Sequence, residues 1–167
     1  MQPSKPIIVD SMRRLDPTLV LDLGCGSCKF SQKFIDKGIK VIGVDKNNTS
    51  SSKNNFIFIQ KNILDFNFKE QYDLIIGTGI LHFLKNEEVC KLIKNMQENT
   101  LMGGFHFLIC MSDKERPNDK IHFYPNEEEL NKLYANWKII HNVSCLSKKH
   151  GETNHQHKMI IFLAEKN

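Results

Sequence analysis

The sequence has no long apolar run and no block of charge of one sign. Its 167 residues are 40% hydrophobic, and 23 Lys and Arg against 19 Asp and Glu leave a net charge of +4. A membrane-spanning helix needs about 20 apolar residues, and a nucleic-acid groove needs its basic residues gathered on one face. The lysines of this chain are instead scattered along its length. We therefore expect no membrane-spanning segment and no secretory signal peptide, and a nucleic-acid partner is disfavoured.

Cysteine is also scarce. The chain has five cysteines, an odd number, and most of them lie in predicted strands, helices or a glycine turn. This distribution favours reduced thiols in a cytoplasmic protein over a disulfide framework. The length is sufficient for one core, so we expect a single domain over residues 1–167.

The most informative stretch is an apolar run that meets a pair of glycines. The run Leu19–Leu23 predicts a buried strand, and Gly24 and Gly26 permit a sharp turn with positive φ. Apolar residues at helical spacing predict a helix from Ser27 onward, with Gly38 at its end. The free N–H groups of such a helix start would favour a polar or anionic ligand group.

A second strand is predicted over Lys40–Asp45, and it ends in a carboxylate. Asp45 can accept hydrogen bonds from both hydroxyls of a ribose, as in dinucleotide-binding folds. The strand, turn, helix and second strand together predict a nucleoside-binding βαβ unit. The third glycine of the dinucleotide fingerprint G-x-G-x-x-G is missing, however, because Lys29 occupies its position.

The run Asp22-Leu23-Gly24-Cys25-Gly26 resembles motif I of the class I S-adenosylmethionine-dependent methyltransferases. The resemblance implies that S-adenosylmethionine is the cofactor, that Gly24 and Gly26 pass close to its methionine part, and that Asp22 supports its amino group. It also implies that Asp45 holds the ribose. Many family members have a further glycine where this chain has Cys28. The cofactor contacts expected from the resemblance are Asp22, Gly24, Cys25, Gly26, Asp45, Lys46, Asn62, Ile63 and Thr78.

The adenine end of the expected site has two candidate residues. Family members often carry an acid against the adenine amino group, and the matching position here is Asn62. Its side-chain carbonyl can accept the same hydrogen bond without a charge. Asp65 is the alternative, although capping of the next turn is the favoured role for it.

The rest of the chain alternates strand and helix signals, which is typical of an open, mostly parallel sheet. We predict a short helix over residues 6–15, no helix over 47–55, and a helix capped by Asn86 with a core-packing apolar stripe. Gly103 and Gly104 are predicted to end that helix. A capping box at Asn126 and Glu129 predicts one more helix. The later strands are predicted over Phe56–Gln60, Tyr72–Thr78, Phe105–Met111, Trp137–Leu146 and Lys158–Ala164.

The resemblance to class I methyltransferases also implies the arrangement of these elements. The expected fold class is α/β, with a Rossmann-like seven-stranded sheet, helices on both faces and strand order 3-2-1-4-5-7-6. Strand 7 is expected to be the antiparallel strand.

Three further segments resemble the tellurite-resistance (TehB-type) methyltransferases: residues 95–104, 123–137 and 162–166. The likeness extends over roughly residues 18 to 166. Relatives of this type methylate small, soft or oxyanionic substrates of the chalcogen group, such as tellurite and selenite, or small thiols. The resemblance therefore implies a small-molecule methyl acceptor.

Methyl transfer from an activated sulfonium mainly requires alignment of donor and nucleophile, and an anionic nucleophile needs no strong general base. The candidate catalytic residues are His82, after the fourth strand, and Asp113, after the fifth. For His82, a hydrogen bond to the backbone at the helix entry is an equal alternative. His150, His155 and His157 are candidates for substrate contact or plain loop residues. The spacing of His155 and His157 is also compatible with a zinc or copper site, but without an acid or cysteine partner it is only a weak metal signal.

Two other functions stay open. The spacing of Cys25 and Cys28 also matches the C-x-x-C motif of a thioredoxin-like dithiol oxidoreductase. A non-catalytic S-adenosylmethionine-binding protein is the second alternative, suggested by the short segment before the first strand and the missing helix after Asp45. A regulatory disulfide that closes the cofactor loop is a separate hypothesis for the two cysteines.

Overall fold

A seven-stranded sheet dominates the part of the chain that the computed structural model describes, which is residues 5–48, 50–112, 122–147, 149 and 156–167. The strand order β3-β2-β1-β4-β5-β7-β6 confirms the predicted order. Only the pairs that involve β7 are antiparallel. The strands are β1 Leu19–Leu23, β2 Lys40–Asp45, β3 Phe56–Gln60, β4 Tyr72–Thr78, β5 Thr100–Met111, β6 Trp137–Leu146 and β7 Lys158–Lys166.

Helices cover both faces of this sheet. In the described residues they are α1 Lys5–Arg13, α2 Gln32–Asp36, α3 Asn86–Glu98 and α4 Glu127–Leu133, with 3₁₀ turns at Ile63–Asp65 and Leu81–Phe83. None of these helices is long and apolar enough to cross a membrane. The described part of the segment between β2 and β3 contains no helix, as predicted.

The core forms two clusters, one on each face of the sheet. The stripe Val89, Leu92, Ile93 and Met96 of α3 is 0–2% exposed and packs against β1, β4 and β5, which confirms its predicted role. Phe34 of α2 belongs to the other cluster, together with residues of α1. Burial of each side chain of this size contributes about 1.5–3 kcal/mol to the stability of the fold. Packing on both faces therefore stabilises the sheet.

The predicted start of α2 was wrong. The helix begins at Gln32 rather than at Ser27, because Gly26 (φ +49°) and Cys28 (φ +59°) both have left-handed backbone conformations. A helix needs negative φ throughout, so the chain makes a turn first. The five-residue helix therefore offers no N-terminal anion site beside the glycines, contrary to the sequence-based argument.

The boundary between α3 and β5 also differs from the prediction. Strand β5 begins at Thr100, so Gly103 and Gly104 lie within it and do not end the helix. The pairing with β4 is irregular there, since Tyr72 pairs with Thr100 but Leu74 pairs with Phe105. A Cβ on Gly104 would lie 2.8 Å from Thr100 Cγ2, so the bulge requires the glycine.

The two predicted helix caps had different outcomes. Asn126 and Glu129 form the predicted capping box, with Glu129 N–H donating to Asn126 Oδ1 (2.9 Å) and Asn126 N–H donating to Glu129 Oε2 (2.8 Å). The cap of α3 was wrong by one residue. Its N-cap is Lys85, whose N–H donates to Glu88 Oε2 at 2.8 Å, and Asn86 is the first helical residue.

Candidate functional site

A cleft of ≈ 550 Å³ opens at the carboxyl ends of β1, β2 and β4. Its volume lies in the range of small-molecule and cofactor sites, about 300–1,000 Å³. Six of the predicted cofactor residues line it: Gly24, Asp45, Lys46, Asn62, Ile63 and Thr78. Three predicted residues, Asp22, Cys25 and Gly26, do not line it.

The glycine turn forms one wall of the cleft. Gly24 has φ +66°, and its N–H donates to the Val44 carbonyl at 2.7 Å. A Cβ at Gly24 would lie only 2.2 Å from Ile80 Cγ2. Glycine is therefore required here for two separate reasons, the backbone conformation and the close approach of Ile80.

The carboxylate of Asp45 holds the turn in place. Its Oδ2 accepts from Gly26 N–H at 3.0 Å, and its Oδ1 accepts from Asn47 N–H at 2.9 Å. An ionised carboxylate offers about four lone-pair sites, so roughly two are left for ligand hydroxyls. Asp45 thus combines a structural role with free acceptor capacity on the cleft side.

Asp22 is buried beneath the turn, with 2% of its surface exposed. Its Oδ2 accepts from Ser31 Oγ at 2.6 Å. Burial raises the pKa of Asp22 to about 7, and the hydrogen bond from Ser31 opposes this rise only in part. A carboxyl with this pKa ionises near neutral pH, and a nearby cation favours its ionised form.

This pKa predicts a pH dependence of stability. The pKa of Asp22 is about 7 in the folded state against an ordinary value of 3.8, so at intermediate pH only the folded protein keeps the proton. The higher proton affinity of folded Asp22 therefore contributes to the free energy of unfolding. This contribution is complete below pH 3.8 and is lost as the pH rises through 7. Asp22→Asn stays neutral and keeps an acceptor for Ser31. Between pH 5 and pH 8 its free energy of unfolding should therefore fall by about 2 kcal/mol less than that of the wild type. Urea unfolding at both pH values measures the difference, and equal falls in the two proteins would contradict it.

Asn62 has a structural role in addition to the cofactor contact that its position suggests. Its Oδ1 accepts from Leu64 N–H at 3.1 Å and so caps the 3₁₀ turn Ile63–Asp65. Asp65 is the last residue of this turn, and capping of the next turn stays a prediction for it. Asn62 still lines the cleft, with a second lone pair on Oδ1 and two N–H donors available to a ligand.

His82 lies in the 3₁₀ turn after β4, with 7% of its surface exposed. It does not line the cleft itself, but its ring packs against Phe83, which does (ring centroids 4.1 Å apart). Its carbonyl accepts from His122 N–H at 2.8 Å. Its buried Nδ1 has no hydrogen-bond partner among the described residues. Burial and the nearby charge of His157 lower the pKa of His82, so the ring is neutral at neutral pH.

Several other candidates lie outside the described residues. These are the predicted catalytic residue Asp113 and the loop histidines His150 and His155. Within the described ranges, no three His, Cys, Asp or Glu side chains come close enough together to hold a metal ion.

The cleft also contains residues that the sequence argument missed. They follow strand ends or lie on the first turn of α3: Asn47, Leu64, Gly79, Ile80, Phe83, Leu84 and Glu88. A signal was present for Asn47, Gly79 and Ile80, since each comes within two residues of a strand end that was already predicted to face the ligand. Glu88 gave no signal, because only the packing of α3 brings it to the cleft.

Comparison with known sequences finds a matching family model and similar proteins. A family model described as "Tellurite resistance protein TehB" matches residues 1–162. A probable S-adenosyl-L-methionine-dependent methyltransferase TehB of Haemophilus influenzae (strain 10810) is 33% identical over 145 residues, which is 80% of this chain and 50% of that protein. The chain thus spans about half the length of the curated TehB relatives it matches.

Solved structures show the same fold. The crystal structure of TehB from Haemophilus influenzae matches with a TM-score of 0.83 and 28% identity, over 100% of this chain and 64% of that one. The N-methyltransferase NodS from Bradyrhizobium japonicum, in complex with S-adenosyl-L-homocysteine, matches with a TM-score of 0.71 and 17% identity, over 98% of this chain and 88% of that one. The predicted class I methyltransferase fold is therefore confirmed.

Proposed function

Because this chain belongs to the TehB family, we propose that it transfers a methyl group from S-adenosylmethionine to a small-molecule acceptor. The acceptor classes are a chalcogen oxyanion, such as tellurite or selenite, or a small thiol. The observation that carries the proposal is Asp45. It ends β2 at the cleft, next to the Gly24 turn, and retains acceptor capacity for two ribose hydroxyls.

The residues of the cleft fit the parts of this cofactor. Asp45 would hold the ribose, and Asn62 with Ile63 would lie against the adenine. Gly24 and Thr78, at the ends of β1 and β4, would line the methionine part. Asp22 lies behind the turn, and its pKa is about 7. The positively charged amino group of the cofactor would favour the carboxylate form of Asp22, which would in turn stabilise that charge.

The cofactor supplies an electrophilic methyl on a sulfonium, so the protein has to align the nucleophile and exclude water. Alignment of this kind lowers a barrier by about 7–11 kcal/mol. The acceptor would approach past the end of β4, where Gly79 and Phe83 line the cleft. His82 lies behind Phe83 with an unpartnered Nδ1 among the described residues. We propose that His82 accepts a hydrogen bond or a proton from a protonated acceptor. Asp113 stays the second candidate for that role.

Incubation of the reduced protein with methyl-deuterated S-adenosylmethionine and tellurite, selenite or a small thiol tests the proposal. Mass spectrometry should detect S-adenosylhomocysteine together with a deuteromethylated product, and only when an acceptor is present. Binding of the cofactor without any S-adenosylhomocysteine from this panel would contradict the proposal and favour a non-catalytic binding protein. Disulfide reduction without S-adenosylmethionine would favour a dithiol oxidoreductase.

The role of His82 has its own test. His82→Phe should lower kcat with a thiol acceptor by about 10²-fold, with little change in KM for S-adenosylmethionine. The deficit should shrink as the pH rises, because the thiol then ionises without help. His122→Gln is the matched control, since His122 is exposed and uses its backbone N–H at this site. An equal loss at all pH values would assign His82 a packing role only.

A further inference from the structure

Two cysteines share the cofactor turn, and the proposed methyl transfer uses neither sulfur. Cys25 and Cys28 are 7% and 3% exposed, and both are free thiols. The Cys28 N–H donates to the Cys25 carbonyl at 2.7 Å. A turn closed in this way brings the two Cα atoms within about 7 Å, and a disulfide requires about 4.4–6.8 Å. The backbone therefore already has a geometry that a disulfide can use.

The side chains complete this arrangement. The neighbouring Cys25 thiol lowers the pKa of Cys28 below its usual range. The same contact raises the pKa of Cys25 far above its usual range. Ser50 Oγ lies 3.7 Å from the Cys28 sulfur and adds a second stabilising contact. These opposite shifts favour the thiolate at Cys28 and the thiol at Cys25.

The conformation of Cys28 is unusual as well. It is the one non-glycine residue with positive φ in the described chain (φ +59°). Left-handed backbone at such a residue costs about 1–2 kcal/mol and persists where the surroundings fix it. Here the Cys28 carbonyl accepts from Gln32 N–H at 2.7 Å. Neither cysteine lines the cleft, and both belong to the same core cluster.

We propose that Cys25 and Cys28 form a peroxide-oxidisable dithiol whose disulfide form weakens cofactor binding. The Cys28 thiolate attacks one oxygen of a hydroperoxide, the O–O bond breaks, and hydroxide (or alkoxide) leaves. The sulfenic acid on Cys28 is then attacked by the Cys25 sulfur, which loses its proton as water departs. The two cysteines lose two electrons in total, and the peroxide gains them. A thiol reductant reverses the reaction by exchange.

The link to the cofactor comes from the backbone between and beside the two cysteines. Gly24 precedes Cys25 and forms the wall of the cleft, and Gly26 follows it and donates to Asp45. A disulfide needs an S–S distance of about 2.05 Å, which is shorter than any hydrogen-bonded contact. The Cys25 sulfur lies 2.9 Å from where a Cβ on Gly43 would be, so it is packed against β2. The Cys25 side chain therefore has to leave its packing against β2 when the sulfurs join, and we expect this to shift the adjacent Gly26 and its hydrogen bond to Asp45.

The experiment compares the reduced protein before and after treatment with one equivalent of hydrogen peroxide. After alkylation, mass spectrometry should show Cys25 and Cys28 protected in one peptide that is 2 Da lighter. Calorimetric affinity for S-adenosylhomocysteine should fall at least tenfold and recover after addition of a phosphine reductant. Cys110 is an internal control, because burial raises the pKa of its thiol to about 12 and it should stay reduced.

Two variants separate this mechanism from general oxidative damage. Cys90→Ser removes an exposed thiol on α3 and should respond to peroxide as the wild type does. Cys28→Ser should show the same affinity before and after peroxide, whatever its starting value. A disulfide that forms without a change in affinity, or an equal loss of affinity in Cys28→Ser, would overturn the proposal. Binding by the reduced wild type tests the cofactor assignment separately in the same titration.

Discussion

Gly24→Ala is expected to abolish measurable cofactor binding and to destabilise the fold. The new Cβ would lie 2.2 Å from Ile80 Cγ2, and its residue would have to keep φ +66°. The conformational penalty is about 1–2 kcal/mol, and overpacking of this kind adds about 1–3 kcal/mol. Ile80 is 9% exposed and also approaches Gly77, so it has little room to withdraw. Urea unfolding and calorimetric titration measure the two effects.

Two further variants separate the causes. Gly38→Ala carries the conformational penalty alone, because Gly38 has φ +79° and no atom within 4 Å of its Cβ position. It should lose only about 1–2 kcal/mol and should bind the cofactor normally. Gly24→Ala combined with Ile80→Ala removes the clashing methyl and should recover part of the stability, as in a double-mutant cycle. If Gly24→Ala behaved like Gly38→Ala in both measurements, the close approach of Ile80 would not matter.

Asp45→Asn is the second change with a large expected effect. Each hydrogen bond between a ribose hydroxyl and a carboxylate is worth about 1.5–3 kcal/mol. The loss of charge at two such bonds predicts a fall in affinity of about 10²-fold or more. The new amide N–H₂ would also face one of the two backbone donors, Gly26 N–H or Asn47 N–H, which leaves that donor without a partner. Affinity for S-adenosylmethionine and S-adenosylhomocysteine is the quantity to measure.

Asp73→Asn is the matched control for this change. Asp73 Oδ2 accepts from Thr18 N–H, Thr18 Oγ1 and Leu19 N–H at 2.6–2.9 Å, and it does not line the cleft. This variant should lose stability while it keeps its affinity for the cofactor. If Asp45→Asn and Asp73→Asn weakened binding equally, the role of Asp45 in binding would be refuted and its effect would be one of stability.

The positions of most strands followed from local signals in the sequence. Short, mostly apolar runs such as Leu19–Leu23 and Tyr72–Thr78 match the observed strands residue for residue, because a strand buried on both faces needs a predominantly apolar sequence. The acid at Asp45 was predictable in the same way, since parallel strands bring their carboxyl ends to one edge. The family resemblance supplied the order of the strands in the sheet.

The details that failed depend on contacts between distant residues. The late start of α2 results from the left-handed Cys28, which propensity alone does not reveal. The early start of β5 results from a bulge against β4 that absorbs Gly103 and Gly104. The cap at Asn62 and the approach of Glu88 to the cleft likewise arise from packing. Sequence patterns predict which residues form an element more reliably than where it begins.

The most direct test of the account is calorimetric titration of the reduced protein with S-adenosylmethionine and with S-adenosylhomocysteine. The account predicts that both bind in the micromolar range with one site per chain, and that Asp45→Asn reduces both affinities. A folded, reduced protein that binds neither molecule would contradict it, since the cleft beside Gly24 and Asp45 would then serve some other ligand.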